Sequence, residues 1–415
     1  MRARALISTS ILVVILLTAF AVAHAAYYAY IPNAADNTVS VIDTEQEAVV
    51  ATIPVGRSPV GVAVHPSGRK VYVTNQGDHT LSIIDVLSRS VSKTVAVGAR
   101  PHGVAVHPDG SLIFVTNEGS DTLSVLDSAS LAVIHTVTTG SAPRGVVVDP
   151  ERDLVYVANH LSYTVTIVDL ADGKAKKMIP VGPLPSGLAL LPDATFLYAI
   201  GQDTLWGIDT RTQTEVLVRQ GGGGYAAALS PSGTRLYMTN PASGMVYLFD
   251  TTHQGYVAEF RAGDVPQGAA VHPSGSALYV TLGGENTVLL VDMVTHAVLR
   301  RIAVGRDPRG FGNFIGAVPT PAPGCSGQGR AKLIGQVVSE EGRAPIGGVT
   351  LELDGVDDCT ESAVTNRRGK ATFRSLAPGL YTLSPSKAGC TFDPPHAHVT
   401  LERRRERVRF FARCE

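Results

Sequence analysis

The sequence predicts an all-β protein, a seven-bladed β-propeller followed by a small β-sandwich, on three observations. A short apolar segment typified by Val-Tyr-Val-Thr-Asn recurs seven times at a nearly constant interval. Each interval carries four strand signals separated by turn residues. After the last copy the period stops at a Pro-rich stretch, and a different strand pattern holding all four cysteines begins. Composition agrees. Only 17% of residues are charged, while Gly and Pro number 42 and 25, which favours a turn-rich β fold over a helical one. The formal net charge of -1 argues against a general electrostatic grip on nucleic acid or anionic membranes.

Residues 1–25 read as a secretory leader. Arg2 and Arg4 precede the uncharged stretch Ile11–Ala23, and Ala23-His24-Ala25 has the form of a cleavage site. The stretch is shorter than the roughly 20 apolar residues of a membrane span. The mature chain is therefore expected to be soluble and exported, either periplasmic or extracellular at the cell surface.

The repeat defines residues 26–318. Its copies start at 29, 71, 113, 155, 197, 236 and 278. In the second copy the strand signals are Val71–Thr74, Thr80–Ile84, Val91–Val97 and Gly103–Val106. Four strands per repeat of about 40–45 residues is the signature of a propeller blade, whose two apolar faces are buried by its neighbours in a ring. The chain enters on the second strand of a blade. It leaves on a lone first-type strand, Gly310 to about Ile315, which is expected to complete that blade and close the ring. Segments such as Asn37-Thr38-Val39-Ser40-Val41-Ile42-Asp43 and Val55-Gly56-Arg57-Ser58-Pro59-Val60-Gly61 resemble the 40-residue YVTN β-propeller family of microbial surface-layer and periplasmic proteins. The resemblance covers about 29–315. It implies a fold and a compartment, and little about activity.

Residues 319–330 form a Pro-rich, semi-rigid linker. Residues 331–415 follow, with strand signals at Leu333–Val338, Gly348–Leu353 and Ala371–Phe373. With Leu376-Ala377-Pro378-Gly379-Leu380-Tyr381, this run is similar to the carboxypeptidase regulatory-like (prealbumin-like) β-sandwich. That resemblance implies a spacer or adhesion module. Cys325, Cys359, Cys390 and Cys414 form an even set in an exported chain, which favours two disulfides with three possible pairings. The expected pairing is Cys325–Cys414, tying the domain ends together, with Cys359–Cys390 inside it. The spacings match no zinc template, and no haem motif is present, so neither a metal nor a cofactor is expected.

A repeat protein supplies its own control, because a residue kept in every copy is explained by the blade. Asp43, Asp85, Asp127, Asp169, Asp209, Asp250 and Asp292 each end a third strand, where an Asp caps a turn. His65, His107 and His272 sit in equivalent hairpins of different blades and are read as structural. Variable positions are free to be functional. The loop entering each innermost strand reads Pro-x-Gly in six of seven copies, and x is Val60, His102, Arg144, Ser186, Tyr225, Gln267 and Arg309. These side chains are expected to ring one mouth of the central channel. The ring holds hydrogen-bond donors and no carboxylate, with Arg57 and Arg306 nearby. It suits an anionic or polyhydroxylated small molecule, because guanidinium binds carboxylate in bidentate fashion.

Other signals are weaker. Gly221–Gly224 and Trp206 mark an odd fifth copy, either a close-approach loop or a decayed repeat. His396 with His398, and Asp354 with Asp357 and Asp358, are poor metal sets. The arginines at 403–405, 407 and 409 suit a solvated face or a partner contact. No nucleophile-elbow, zinc-protease or haem motif occurs. The reading is an exported or cell-surface binding or scaffold protein, monomeric, with a small molecule or a surface protein or glycan as partner. The alternative is a lactonase-like propeller hydrolase acting on a sugar acid or lactone, with His102 as base and Arg144 or Arg309 holding the carboxylate.

Overall fold

The computed structural model describes residues 26–319, 331–339, 344–354, 360–376, 379–394, 397–401 and 406–414. Seven four-stranded antiparallel sheets form the propeller, and two more four-stranded sheets form the C-terminal sandwich. Strands are numbered in chain order. One regular blade runs from the channel outward as β4 (Pro59–Val64), β5 (Lys70–Asn75), β6 (Thr80–Asp85) and β7 (Ser90–Ala96). Burial follows that order. Nearly all of β5 is buried, whereas β7 is mostly exposed.

The recurring motif is explained by what each residue touches. Tyr72, Tyr156, Tyr198, Tyr237 and Tyr279 are fully buried between blades. The Asn at the motif's end donates to two hydroxyls on the next strand: Asn75 Nδ2 reaches Thr80 Oγ1 at 3.0 Å and Ser82 Oγ at 2.8 Å. Asn33, Asn117 and Asn159 repeat that pair of bonds. The glycine of the Val-Gly loop lies flat on this amide, and a Cβ on Gly56 would stand 2.6 Å from Asn75 Cγ. The seven Asp residues cap turns as the repeat predicts. For example, Asp43 Oδ1 accepts from the backbone N–H of Glu45 and of Gln46, both at 2.9 Å. Two of the hairpin histidines tie blades together, while His107 pairs with Asp109 in its own hairpin. His65 Nε2 lies 3.1 Å from the Gly110 carbonyl of the next blade, and His272 stacks edge-on against Tyr27 at 4.9 Å.

The ring closes as the repeat frame implies, but through a different strand. β28 (Ile315–Ala317) pairs with β1 (Tyr27–Asn33), so one blade is built from both ends of the propeller. The strand expected from Gly310 starts five residues later. In a regular blade Pro59 pairs with Asn75 and Val64 with Val71. At the seam Pro308 pairs with Asn33 and Ile315 with Ala29, so seven steps replace five across the same partner span. The two extra residues leave the sheet. Phe311 instead bridges to Gly61 on the channel edge of β4, with Val62 N donating to Phe311 O at 3.1 Å. Gly310 (φ 138°) and Gly312 (φ 118°) permit the detour, and a Cβ on Gly312 would stand 2.6 Å from the Val62 carbonyl oxygen.

The sandwich stacks one sheet ordered β32-β29-β36-β34 on another ordered β31-β30-β33-β35. The first comprises β29 (Ala331–Ser339), β32 (Lys370–Leu376), β34 (Cys390–Asp393) and β36 (Glu406–Cys414). The second comprises β30 (Thr350–Asp354), β31 (Thr360–Val364), β33 (Gly379–Ser386) and β35 (Ala397–Leu401). Leu333, Val337, Leu351, Phe373, Tyr381 and Phe410 fill the core between them. The expected cysteine pairing is corrected here. Cys390 is bonded to Cys414, because β34 and β36 run antiparallel with these two residues directly opposite, Cα atoms 4.0 Å apart. Cys325 and Cys359, like His396, Asp357 and Asp358, lie outside the described residues.

Candidate functional site

The innermost strands hold the variable x residues at one height through bonds that pass from blade to blade. Thr74 Oγ1 accepts from Gly61 N at 2.8 Å and donates to the carbonyl of His102 in the next blade at 2.8 Å. Thr116 does the same between Gly103 and Arg144, at 2.8 and 2.7 Å. The Gly of Pro-x-Gly is required by this closeness, since a Cβ on Gly61 would stand 2.1 Å from His102 O and one on Gly103 2.2 Å from Arg144 O. The backbone around the mouth is thus locked, and the x side chains are free to vary.

Val60, His102, Arg144, Tyr225, Gln267 and Arg309 line one cavity of about 340 Å³. Ser186 does not form part of its wall. It is buried, with Oγ 3.0 Å from His160 Nδ1. The expected auxiliary arginines are elsewhere too: Arg57 pairs with Asp78 and Arg306 with Asp36, both exposed on the rim.

Three further polar residues line the cavity: Gln76, Arg100 and Glu118. Glu118 changes its chemistry from the carboxylate-free ring that the x positions alone suggest. Its Oε1 accepts from Arg144 Nε at 2.8 Å, while Oε2 accepts from Gln76 Nε2 at 3.0 Å and Arg100 at 3.4 Å. Arg309 makes a comparable pair with Asp307, at 2.8 Å from its terminal nitrogen. The sequence held a signal for Glu118. Gln76, Glu118, His160 and Pro241 all follow the Asn that ends the recurring motif. They form a second variable ring, one strand out from the first.

The floor of the cavity is aromatic. His102 Nε2 lies 2.8 Å from the Tyr225 hydroxyl. Phe311 meets both rings edge-on, at 4.7 Å from His102 and 5.2 Å from Tyr225, and packs with Val60 and Ala226. The detour at the seam therefore divides the channel. The polar cavity lies on one side of Phe311, and a space of about 450 Å³ walled by the inner strands lies on the other. Burial holds His102 well below the usual histidine range, and the cations Arg144, Arg309 and Arg100 with His160 push the same way. Burial raises the Tyr225 hydroxyl above its ordinary value. Both groups are neutral at pH 7. His102 Nδ1 is buried without a hydrogen-bond partner. Trp206 is buried in the core, and the Gly223 and Gly224 backbones press on Gly201 O and Thr239 O, where a Cβ would stand 2.2 and 2.1 Å away. Among the described residues no cluster of three metal-ligating side chains occurs.

Three family models match parts of the chain. A seven-bladed lactonase β-propeller model matches residues 92–288, a YNCE-like β-propeller model residues 15–109, and a model of the second β-sandwich domain of a NOMO1-like BOS complex subunit residues 331–410. No curated protein matches the chain by sequence. Solved structures share the fold at low identity. Hydrazine synthase of Kuenenia stuttgartiensis is 19% identical over 64% of this chain and 92% of its own, with a TM-score of 0.59. A functionally unknown protein of Desulfotomaculum acetoxidans is 16% identical over 70% of this chain and 98% of its own, at 0.61. The dihydro-heme d1 dehydrogenase NirN, in complex with DHE, is 16% identical over 71% of this chain and 75% of its own, at 0.52.

Proposed function

We propose that the chain is an exported or cell-surface binding protein whose propeller mouth takes a small hydroxylated acid. The observation that carries this reading is the 340 Å³ cavity, where Arg100, Arg144 and Arg309 stand beside Glu118 and the neutral pair His102–Tyr225. Cations exceed anions in the wall, so a carboxylate is favoured. Glu118 accepts hydrogen bonds and repels a second negative charge, so the rest of the ligand should offer hydroxyls rather than further acid groups. Gln76 and Gln267 supply both donors and acceptors for such groups. Pockets of this size with a few convergent polar groups are typical small-molecule sites. Calorimetry with galacturonate and gluconate tests the reading. Arg144→Ala/Arg309→Ala should weaken binding at least tenfold, and equal affinity in the double variant would sink the assignment.

A second reading is hydrolysis of a sugar-acid lactone. The lactonase model match favours it, since residues 92–288 include His102, Arg144, Tyr225 and Gln267. His102, held neutral, would take the proton from a water that attacks the lactone carbonyl and return it to the ring oxygen as the acyl C–O bond breaks, and Arg144 would hold the exocyclic carboxylate. Turnover of a sugar lactone above the spontaneous rate, lost in His102→Gln, would select this reading over simple binding.

A further inference from the structure

The two outer faces of the sandwich carry opposite chemistry, and strand register makes the difference plain. Leu333, Gly335 and Val337 of β29 point inward, so Lys332, Ile334 and Gln336 point outward. In register with them, Arg374 lies opposite Lys332, and Lys370 opposite Gln336. On the other side of β29, Arg407 lies opposite Ile334 and Arg409 opposite Gln336. Five cations therefore occupy three adjacent strands. At strand spacings of roughly 4.8 Å and a rise of about 3.3 Å per residue, they fall within a patch of about 10 by 13 Å. Arg413 extends the row along β36. Among the described residues of this face the one carboxylate is Asp393, opposite Phe411 on the far strand. Arg374, Arg407, Arg409 and Lys370 are exposed.

The other sheet turns hydroxyls and acids outward. Glu352 lies on its solvent side with Ser362 and Ser384 in register, and its described strands carry no Lys or Arg. A solvated surface with no partner normally intersperses both signs. Here five cations gather on one sheet face of a chain whose net charge is -1.

We propose that this basic face is a docking surface for an anionic polysaccharide, one bearing carboxylate, sulfate or phosphate on successive sugars. The argument is charge complementarity over an extended, flat array. Several cations in fixed spacing engage a repeating polyanion together, so weak single contacts add through effective concentration. Among its described residues the face carries one aromatic ring, the half-buried Phe411, a poor platform for stacked bases, which disfavours single-stranded nucleic acid. Ile334 and Val338 are buried and Phe411 is half-buried, so it presents little apolar surface to a bilayer. This surface is separate from the propeller mouth and does not depend on the ligand proposed there.

Heparin serves as the probe polyanion, with dextran as neutral control, in a binding titration of the whole protein at several salt concentrations. The wild type should bind heparin, ignore dextran and lose affinity steeply with salt. Arg407→Glu/Arg409→Glu should lower affinity at least tenfold at low salt with an unchanged melting temperature. Arg407→Gln/Arg409→Gln should give a smaller loss. Lys93→Glu/Arg211→Glu, the same charge change on the propeller surface, should cost less than twofold. Equal losses in both reversal pairs would reduce the effect to net charge and overturn the proposal, as would absence of heparin binding by the wild type. Tighter binding to single-stranded DNA or to phosphatidylglycerol vesicles than to heparin would overturn it in favour of that partner.

Discussion

The propeller mouth and the basic face of the sandwich both use arginine, in opposite company. At the mouth Arg144 is bonded to Glu118 and Arg309 to Asp307, around a walled cavity whose His102 and Tyr225 are backed by Phe311. On the sandwich face Arg374, Arg407 and Arg409 stand in a cationic row on an open sheet. A cation paired with a carboxylate in a concave site selects a small ligand with both an acid and hydroxyls. Cations gathered on a flat face select by summed charge and respond strongly to salt. The two regions also differ in what holds them. The mouth depends on hydrogen bonds that cross blades, whereas the face depends on strand register and the Cys390–Cys414 disulfide.

That contrast can be broken at its supports. The largest effect is expected from Phe311→Ala, which opens the mouth to the rest of the channel and removes packing against His102 and Tyr225. It should cost about 3–4 kcal/mol in urea unfolding and weaken any mouth ligand, with heparin binding intact. Cys390→Ser/Cys414→Ser releases a loop closed across a sequence separation of 24 and should cost the sandwich about 3 kcal/mol. Its signature is separability: heparin binding becomes heat-sensitive while the mouth still binds. Thr116→Val leaves Gly103 N and the Arg144 carbonyl without their shared partner and should cost about 2 kcal/mol, displacing Arg144 in the process.

The smallest effect is in pH. His102 binds protons less well folded than unfolded, so stability tied to it is complete above about pH 6.5. It falls as the pH drops below that value, by up to about 1.4 kcal/mol per unit, because the unfolded chain then holds the extra proton. Denaturation at pH 7.5 and 5.5 in wild type and His102→Gln measures this. A pH dependence identical in the two proteins would show that His102 is not the group responsible.

Much of this was legible in the residues, for a physical reason particular to repeats. A blade must bury both faces, so Tyr72, Thr74 and Asn75 recur wherever the packing recurs, and positions free of that demand stand out against them. His102, Arg144, Tyr225, Gln267 and Arg309 were placed at the mouth in that way, and they line its cavity. Glu118 was missed because it sits in the turn just after the second strand, where only the preceding Asn was followed from copy to copy. Ser186 was misplaced because its hydroxyl turns to His160, a choice of rotamer that no pattern records. The disulfide was misassigned because proximity at domain ends was weighed above strand pairing, and pairing is a long-range property.

The sequence by itself determined the number of blades, the strand order within each, the ring closure and the mouth at which variation gathers, because these follow from a period and an apolar pattern. Only the tertiary structure decided that two extra residues at the seam would carry Phe311 into the channel. It alone paired Arg144 with Glu118 and aligned Lys370, Arg374, Arg407 and Arg409 on one face of the sandwich. Each of these joins residues from separate strands or blades, and their distances exist only once the sheets are paired and the ring is closed.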